Sequence, residues 1–254
     1  MDLGTLADRL DDRLDVEAYA GVDASANGLQ VGRRDRPVER VAVAVDAAVE
    51  PIERAADADA LVVHHGIVWG DGLPDLTAHR LARVRGLLDH DLGLYCAHLP
   101  LDGHPDLGNA ARLGAAVGLT DTEAFGHLGG VPTGVVGRLP DAPAVDALVD
   151  RVAAAVDRES DAVGRLGPTP ASVDRLAIVT GSGTDLIEEA AAVGADALLT
   201  GEPKHSAYHR AVDLGVCTLT AGHYATETFG VRAVAELVAE WGLETRFVDV
   251  PTGL

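Results

Sequence analysis

Apolar residues open the chain at helical spacing. Leu3, Leu6, Leu10 and Leu14 recur three and four apart, which predicts an amphipathic first helix. The pattern then shortens. "GLQVG" (28–32) is a strand candidate, and "VAVAVD" (41–46) and "LVVHHG" (61–66) are unbroken apolar runs of buried-strand length. A helix is expected between them over 48–60. Another follows over 79–91, then a strand "GLYCAHL" (93–99) and a helix near 107–118.

The second half repeats this order. Pro143 stands at a helix start, with Val145, Leu148, Val149, Val152 and Val156 on one face. Then come strand candidates at 162–167, 176–181 and 198–203, a helix at 184–197, a further helix "HSAYHRAVDLG", a strand "VCTLTAGHY" and a long helix from Glu227 to Trp241. The Gly- and Pro-rich residues 120–142 read as the connection, with a strand at 134–139. Residues 3–119 and 143–241 are therefore expected to be internal repeats within one unit spanning 1–254. Strands alternating with helices predict an α/β fold with mixed, mostly parallel sheets flanked by helices.

Composition changes this picture in two ways. Hydrophobic residues make up 47% of the chain but aromatics only 4%, so Ala, Val and Leu must fill the core. The 40 acidic residues against 20 basic ones give a net charge of -20, and Lys204 is the only lysine. Acid spread along the whole chain suggests a surface that stays soluble at high salt, as in halophiles. It argues against nucleic-acid binding, which needs clustered cations. No apolar run reaches membrane-spanning length, and the acidic start "MDLGTLADRLDD" is unlike a signal peptide, so a cytoplasmic location is expected. Cys96 and Cys217 lie in apolar runs and read as small buried hydrophobes.

The candidate chemistry gathers at strand ends, where open α/β sheets bind ligands. His64 and His65 close an apolar run. At a strand end two adjacent imidazoles can converge, and they suit Zn, Fe, Mn, Ni or Co. His98 with Asp102, and His223 with Glu227, are each four apart, a spacing that on a helix places both side chains on one face. Together these six N/O side chains exceed what one tetrahedral ion needs, which points to two divalent ions. "TGEPKH" adds Glu202, Lys204 and His205 at another strand end, where Glu202 and Lys204 are candidate substrate contacts and Lys204 is suited to a phosphate or carboxylate. "GSGTD" (181–185) is read as a tight turn rather than an anion cradle. Asp46 either approaches the site or caps the following helix, and His79, His90, His104, His127 and His209 are taken as surface or loop residues.

"ANGLQVG", "VVHHGIVWG", "AHLPLDGHPDLGN", "GSG", "GADALLTGEPKH" and "AGHYATE", in this order, resemble the GTP cyclohydrolase 1 type 2 homolog family, also called NIF-three-like proteins. The resemblance implies two intertwined, duplicated lobes, two divalent ions per chain and a homo-oligomer in the form of a ring-shaped hexamer. It implies His64, His65, Asp102, His223 and Glu227 as ligands, with Glu227 bridging the ions. His98 is read as the catalytic residue, in a supporting or proton-transfer role, with a structural histidine or a ligand as the alternatives. The chain departs from many bacterial members in "HHGIVWG" and "HLPLD", so substrate contacts are expected to differ. The implied function is a metal-dependent hydrolase of a purine nucleotide or phosphoester. The alternative is a metal-binding or metal-delivery protein without turnover.

Overall fold

The computed structural model describes residues 1–70 and 75–254. The elements run α1 (Leu3–Leu14), α2 (Val16–Tyr19), β1 (Gly28–Val31), β2 (Arg40–Asp46), α3 (Val49–Arg54), β3 (Ala60–His65), α4 (Ala78–Asp89), β4 (Gly93–Cys96), α5 (Leu99–Gly103) and α6 (Asn109–Ala116). They continue with β5 (Thr120–Leu128), β6 (Val131–Arg138), α7 (Val145–Ala155), β7 (Gly164–Leu166), β8 (Arg175–Ile178), α8 (Ile187–Ala192), β9 (Ala197–Thr200), α9 (Ala207–Leu214), β10 (Cys217–Thr220), α10 (His223–Glu240) and β11 (Glu244–Phe247). No helix among the described residues is long and apolar enough to cross a membrane.

The chain divides into two compact units. The first comprises Met1–Leu101 and Gly230–Val250. Its five-stranded sheet has the order β1-β4-β3-β2-β11, with β4, β3, β2 and β11 parallel and β1 antiparallel at the edge. One face packs Ala42, Leu61, Val63, Leu94 and Cys96 against Ile52, Leu87 and Leu92. These small and branched residues fill the core in place of the scarce aromatics. Asp2 caps α1, its carboxylate accepting from Thr5 N at 2.7 Å.

The second unit comprises Asp102–Phe229 and Pro251–Leu254. Its six-stranded sheet has the order β5-β6-β8-β9-β10-β7. β8, β9 and β10 are parallel, while β5, β6 and β7 join antiparallel. Both sheets are thus mixed and flanked by helices, as the alternating pattern predicts.

Four strands have the same arrangement in each sheet, β1-β4-β3-β2 in the first and β7-β10-β9-β8 in the second. A shared device starts each. "ADAL" occurs at 58–61 and again at 195–198, just where β3 and β9 begin. Asp59 Oδ2 accepts from Glu39 N and Arg40 N at 2.9 Å. Asp196 Oδ2 accepts from Asp174 N and Arg175 N, also at 2.9 Å. Each carboxylate ties the start of its strand to the start of the neighbouring one and satisfies two backbone donors.

Strand register sets which residues correspond at the strand ends of the two sheets. Val63 pairs with Cys96 in the first sheet, and Thr200 with Thr220 in the second. Two residues further on, His98 therefore corresponds to Gly222, not to His223. α5 and α10 begin one residue later, at Leu99 and His223. The two His-x-x-x-carboxylate stretches are one residue out of step, with His98 before its helix and His223 inside its own.

Several elements differ from the sequence pattern: α2 and α5 are additional, α8 is shorter than the 184–197 expected, and α10 starts at His223 rather than Glu227. Residues 120–128, expected as connection, form β5. Only Phe125 and Gly126 of that strand are buried, so it carries no alternating signal. β11 was not expected either, being four residues of mostly polar character at a sheet edge. The helix expected over 48–60 is six residues long, and the rest is turn leading to the Asp59 cap.

Candidate functional site

In the first unit the carboxyl ends of β2, β3 and β4 carry the candidate groups. Strand alternation sends Leu61 and Val63 into the core face, and His64, one residue on, to the other. His64 is fully buried, with Nδ1 3.0 Å from Ala97 O. A carbonyl oxygen only accepts, so Nδ1 carries a proton, and in the neutral ring the lone pair is then on Nε2. His65 Nδ1 lies 2.9 Å from Asp46 Oδ1, and His98 Nδ1 lies 2.8 Å from Asp23 Oδ1. Asp46 thus holds an imidazole rather than capping α3. All three rings are anchored through Nδ1 by an oxygen acceptor, the arrangement that orients metal-binding histidines. A ring nitrogen of each lies within 4.8 Å of the other two.

The segment 23–30 supports this cluster from two sides. Asp23 is buried, which pushes its pKa up, but hydrogen bonds from His98, Asn27 and Ser25 N outweigh burial and hold it below the ordinary carboxylate value. Its second oxygen accepts from Leu99 N at 2.9 Å. Asn27 Oδ1 accepts from His98 N at 2.7 Å. Gln30 Oε1 accepts from Ile67 N at 2.8 Å, so it pins the loop that follows His65. Gly66 leaves the space that the Gln30 amide occupies, since a Cβ there would overlap it. Trp69 completes the surroundings, its ring edge-on to His98 at 5.0 Å between centroids.

The second unit carries carboxylates instead. Asp102 is buried, and its Oδ1 accepts from Asn109 Nδ2 at 2.9 Å and Thr180 Oγ1 at 3.1 Å. A carboxylate oxygen of Asp102 lies within 4.8 Å of one of Glu227. Because α10 begins at His223, the His223–Glu227 spacing does fall on one helix face, with Nε2 3.1 Å from Oε1. His223 Nδ1 is 3.2 Å from Glu202 Oε1. The hydrogen bond to buried Glu227 raises the His223 pKa, burial opposes it, and Glu202 adds to the rise, pushing it up to about 9. Gly181 makes room. With φ at +61°, a side chain there would be strained and its Cβ would collide with Glu227 Oε1. Gly201 N and Glu202 N both donate to Gly181 O at 2.9 Å, which brings the "GSG" and "TGEP" turns together.

Of the remaining candidates, Lys204 is ion-paired with Asp185, which Arg210 also contacts. Among the histidines expected at the surface, His104 is instead buried, its Nδ1 accepting from Asp106 N and Leu107 N at 3.0 Å. Both cysteines are free and buried, and burial pushes the Cys96 thiol up to about 12, which makes it unreactive. Asp23 and Thr180 escaped the sequence reading, and Asn109 stood without a role at the end of the quoted "AHLPLDGHPDLGN". Asn27 and Gln30 stood inside the quoted "ANGLQVG" without a role, and the polar pair in that otherwise apolar stretch was the available signal.

Fold and donors together define an α/β protein whose strand ends carry buried His, Asp and Glu groups able to hold a metal ion. Comparison makes this specific. Residues 1–252 match the family described as Duf34/NIF3 (NGG1p interacting factor 3), and the chain belongs to that family. A Halobacterium salinarum relative described as "GTP cyclohydrolase 1 type 2 homolog" is 50% identical over 256 residues, covering 100% of both chains. A Deinococcus radiodurans relative with the same description is 41% identical, covering 96% of this chain and 92% of its own. Among solved structures, TTHA1606 from Thermus thermophilus is 38% identical with a TM-score of 0.87, covering 100% of both chains.

Proposed function

We propose that this protein is a divalent-metal-dependent hydrolase acting on a purine nucleotide or related phosphoester. His64, His65, Asp102, His223 and Glu227 would hold two ions per chain. The observation that carries the reading is the three-histidine cluster, where each Nδ1 faces an oxygen acceptor and the ring nitrogens lie within 4.8 Å. The donor set is nitrogen and oxygen without thiolate, which suits Zn, Mn, Fe, Co or Ni. Bound there, such ions would supply Lewis acidity and water activation.

The chain's own residues would do the rest. Asp46 fixes the ring of His65, and Asn109 and Thr180 fix the Asp102 carboxylate. His98, held by Asp23 through Nδ1, would exchange a proton with substrate or water at Nε2. The name shared by the curated relatives supports a nucleotide substrate. We propose in addition a homo-oligomer in the form of a ring-shaped hexamer, a cytoplasmic location and a surface adapted to high salt.

The test is His98→Ala in the metal-loaded protein, with release of formate or phosphate from GTP as the readout. Turnover in the wild type, lost in the variant at unchanged metal content, is the expected result. Stoichiometric, exchangeable metal with no turnover on GTP or model phosphoesters would favour the metal-delivery alternative.

A further inference from the structure

Basic side chains in this acidic protein are mostly neutralised. Arg33, Arg34, Arg36, Arg54, Arg138, Arg151, Arg165, Arg175, Arg210, Arg246 and Lys204 each have a carboxylate partner. α4 stands out for holding three arginines outside these pairs. Its sequence "AHRLARVRGLLD" holds Arg80, Arg83 and Arg85 with a single acid at its far end. Among the described residues, no carboxylate pairs with any of the three. Arg80 and Arg83, three apart and so on one face, line a cavity of about 250 Å³.

The rest of the lining is mostly apolar. Ile67, Trp69, Leu76 and Val84 contribute to it beside His79, and no acidic residue lines the space among the described residues. Trp69 Nε1 donates to Gly66 O at 3.1 Å, which fixes the indole, yet the residue stays 42% exposed. Gly66, also in the wall, directly follows His65, so the cavity adjoins the histidine cluster of the same unit.

We propose that this cavity binds an organic phosphate, with the phosphate on Arg80 and Arg83 and an apolar or aromatic ring on Trp69. Two guanidiniums at helical spacing offer forked donors that match phosphate oxygens. An indole beside them offers a flat apolar surface for a ring. The volume falls just below the roughly 300 Å³ of drug-sized sites, which suits one phosphate with one ring. Identifying this ligand with the substrate rests on the function proposed above, but the binding itself needs no metal.

Calorimetric titration at fixed salt, with chelator-treated protein, separates the two. The probes are inorganic phosphate, phenyl phosphate and phenol. Phenyl phosphate is expected to bind more tightly than either of the others. Arg80→Gln with Arg83→Gln is expected to weaken it about tenfold or more, as befits lost charged hydrogen bonds. Arg85→Gln removes the same charge from the same helix outside the cavity, and its effect is expected to stay under about twofold, since exposed charges at a distance are screened. The proposal is overturned if phenyl phosphate fails to bind without metal. It is equally overturned if binding ignores the double variant, or if the Arg85 variant weakens it as much. A chain that binds no metal but passes this titration would sink the hydrolase and leave the phosphate site standing.

Discussion

The two sheets share an order of four strands and a capping aspartate, yet their strand ends carry different donors. In the first unit the ends of β3 and β4 present His64, His65 and His98, each anchored through Nδ1. In the second, the corresponding turns present glycines, Gly201 and Gly222, with Glu202 and the helix residues His223 and Glu227 beside them. Imidazoles offer lone pairs without charge, and carboxylates offer charge. The two units share the device that holds the strands together and differ in the chemistry at the strand ends. In the second unit Gly181, just past β8, makes room for the Glu227 carboxylate, and imidazole in the first is the donor itself.

Equivalent core positions should give the largest response. Leu61 in β3 and Leu198 in β9 are both fully buried. Leu61→Ala and Leu198→Ala should each lower stability by roughly 2.7–5 kcal/mol, read by denaturant unfolding. A large loss from one and none from the other would mean that the two cores are not comparable.

The capping aspartates come next. Asp59→Ala and Asp196→Ala each strand two backbone donors and should destabilise by about 1–3 kcal/mol. Asp59 also sets a pH dependence. Burial pushes its pKa up, but the N–H donors of Glu39 and Arg40, with Arg36 and Arg40 nearby, outweigh this and lower it. A carboxylate whose folded pKa lies below its unfolded value, near 3.9, stabilises the fold above that value. That contribution disappears as pH falls through the lower folded pKa. The wild type should therefore lose its advantage over Asp59→Asn on acidification below about pH 4. A gap between the two that stays constant down to the acid transition would break this assignment.

The smallest effect belongs to Lys204. Its pair with Asp185 is solvent-exposed on both sides, so Lys204→Ala should change stability by less than about 1 kcal/mol, measured by thermal melts. A larger loss would show that this turn supports the second unit more than its exposure suggests.

Much of this architecture was legible in the residues. Buried runs such as 41–46 and 61–66 announced the parallel strands, since a strand covered on both faces is apolar throughout. β5 and β11 were not legible because edge strands lack that apolar signal. His64, His65, Asp102, His223 and Glu227 stood out by type and spacing. Asp23, Asn109 and Thr180 did not, because residues that hold a donor in place have no fixed spacing from it. The offset between His98 and His223 needed the strand register, which no spacing rule supplies.

Metal content tests the central claim most directly. Elemental analysis of pure wild type beside Glu227→Ala, after equal exposure to Zn, Mn or Fe, should find about two ions per chain in the first and a sharp fall in the second. Absence of bound metal from the wild type under every loading condition would contradict the account, and the anchored imidazoles at the end of β3 would need another purpose.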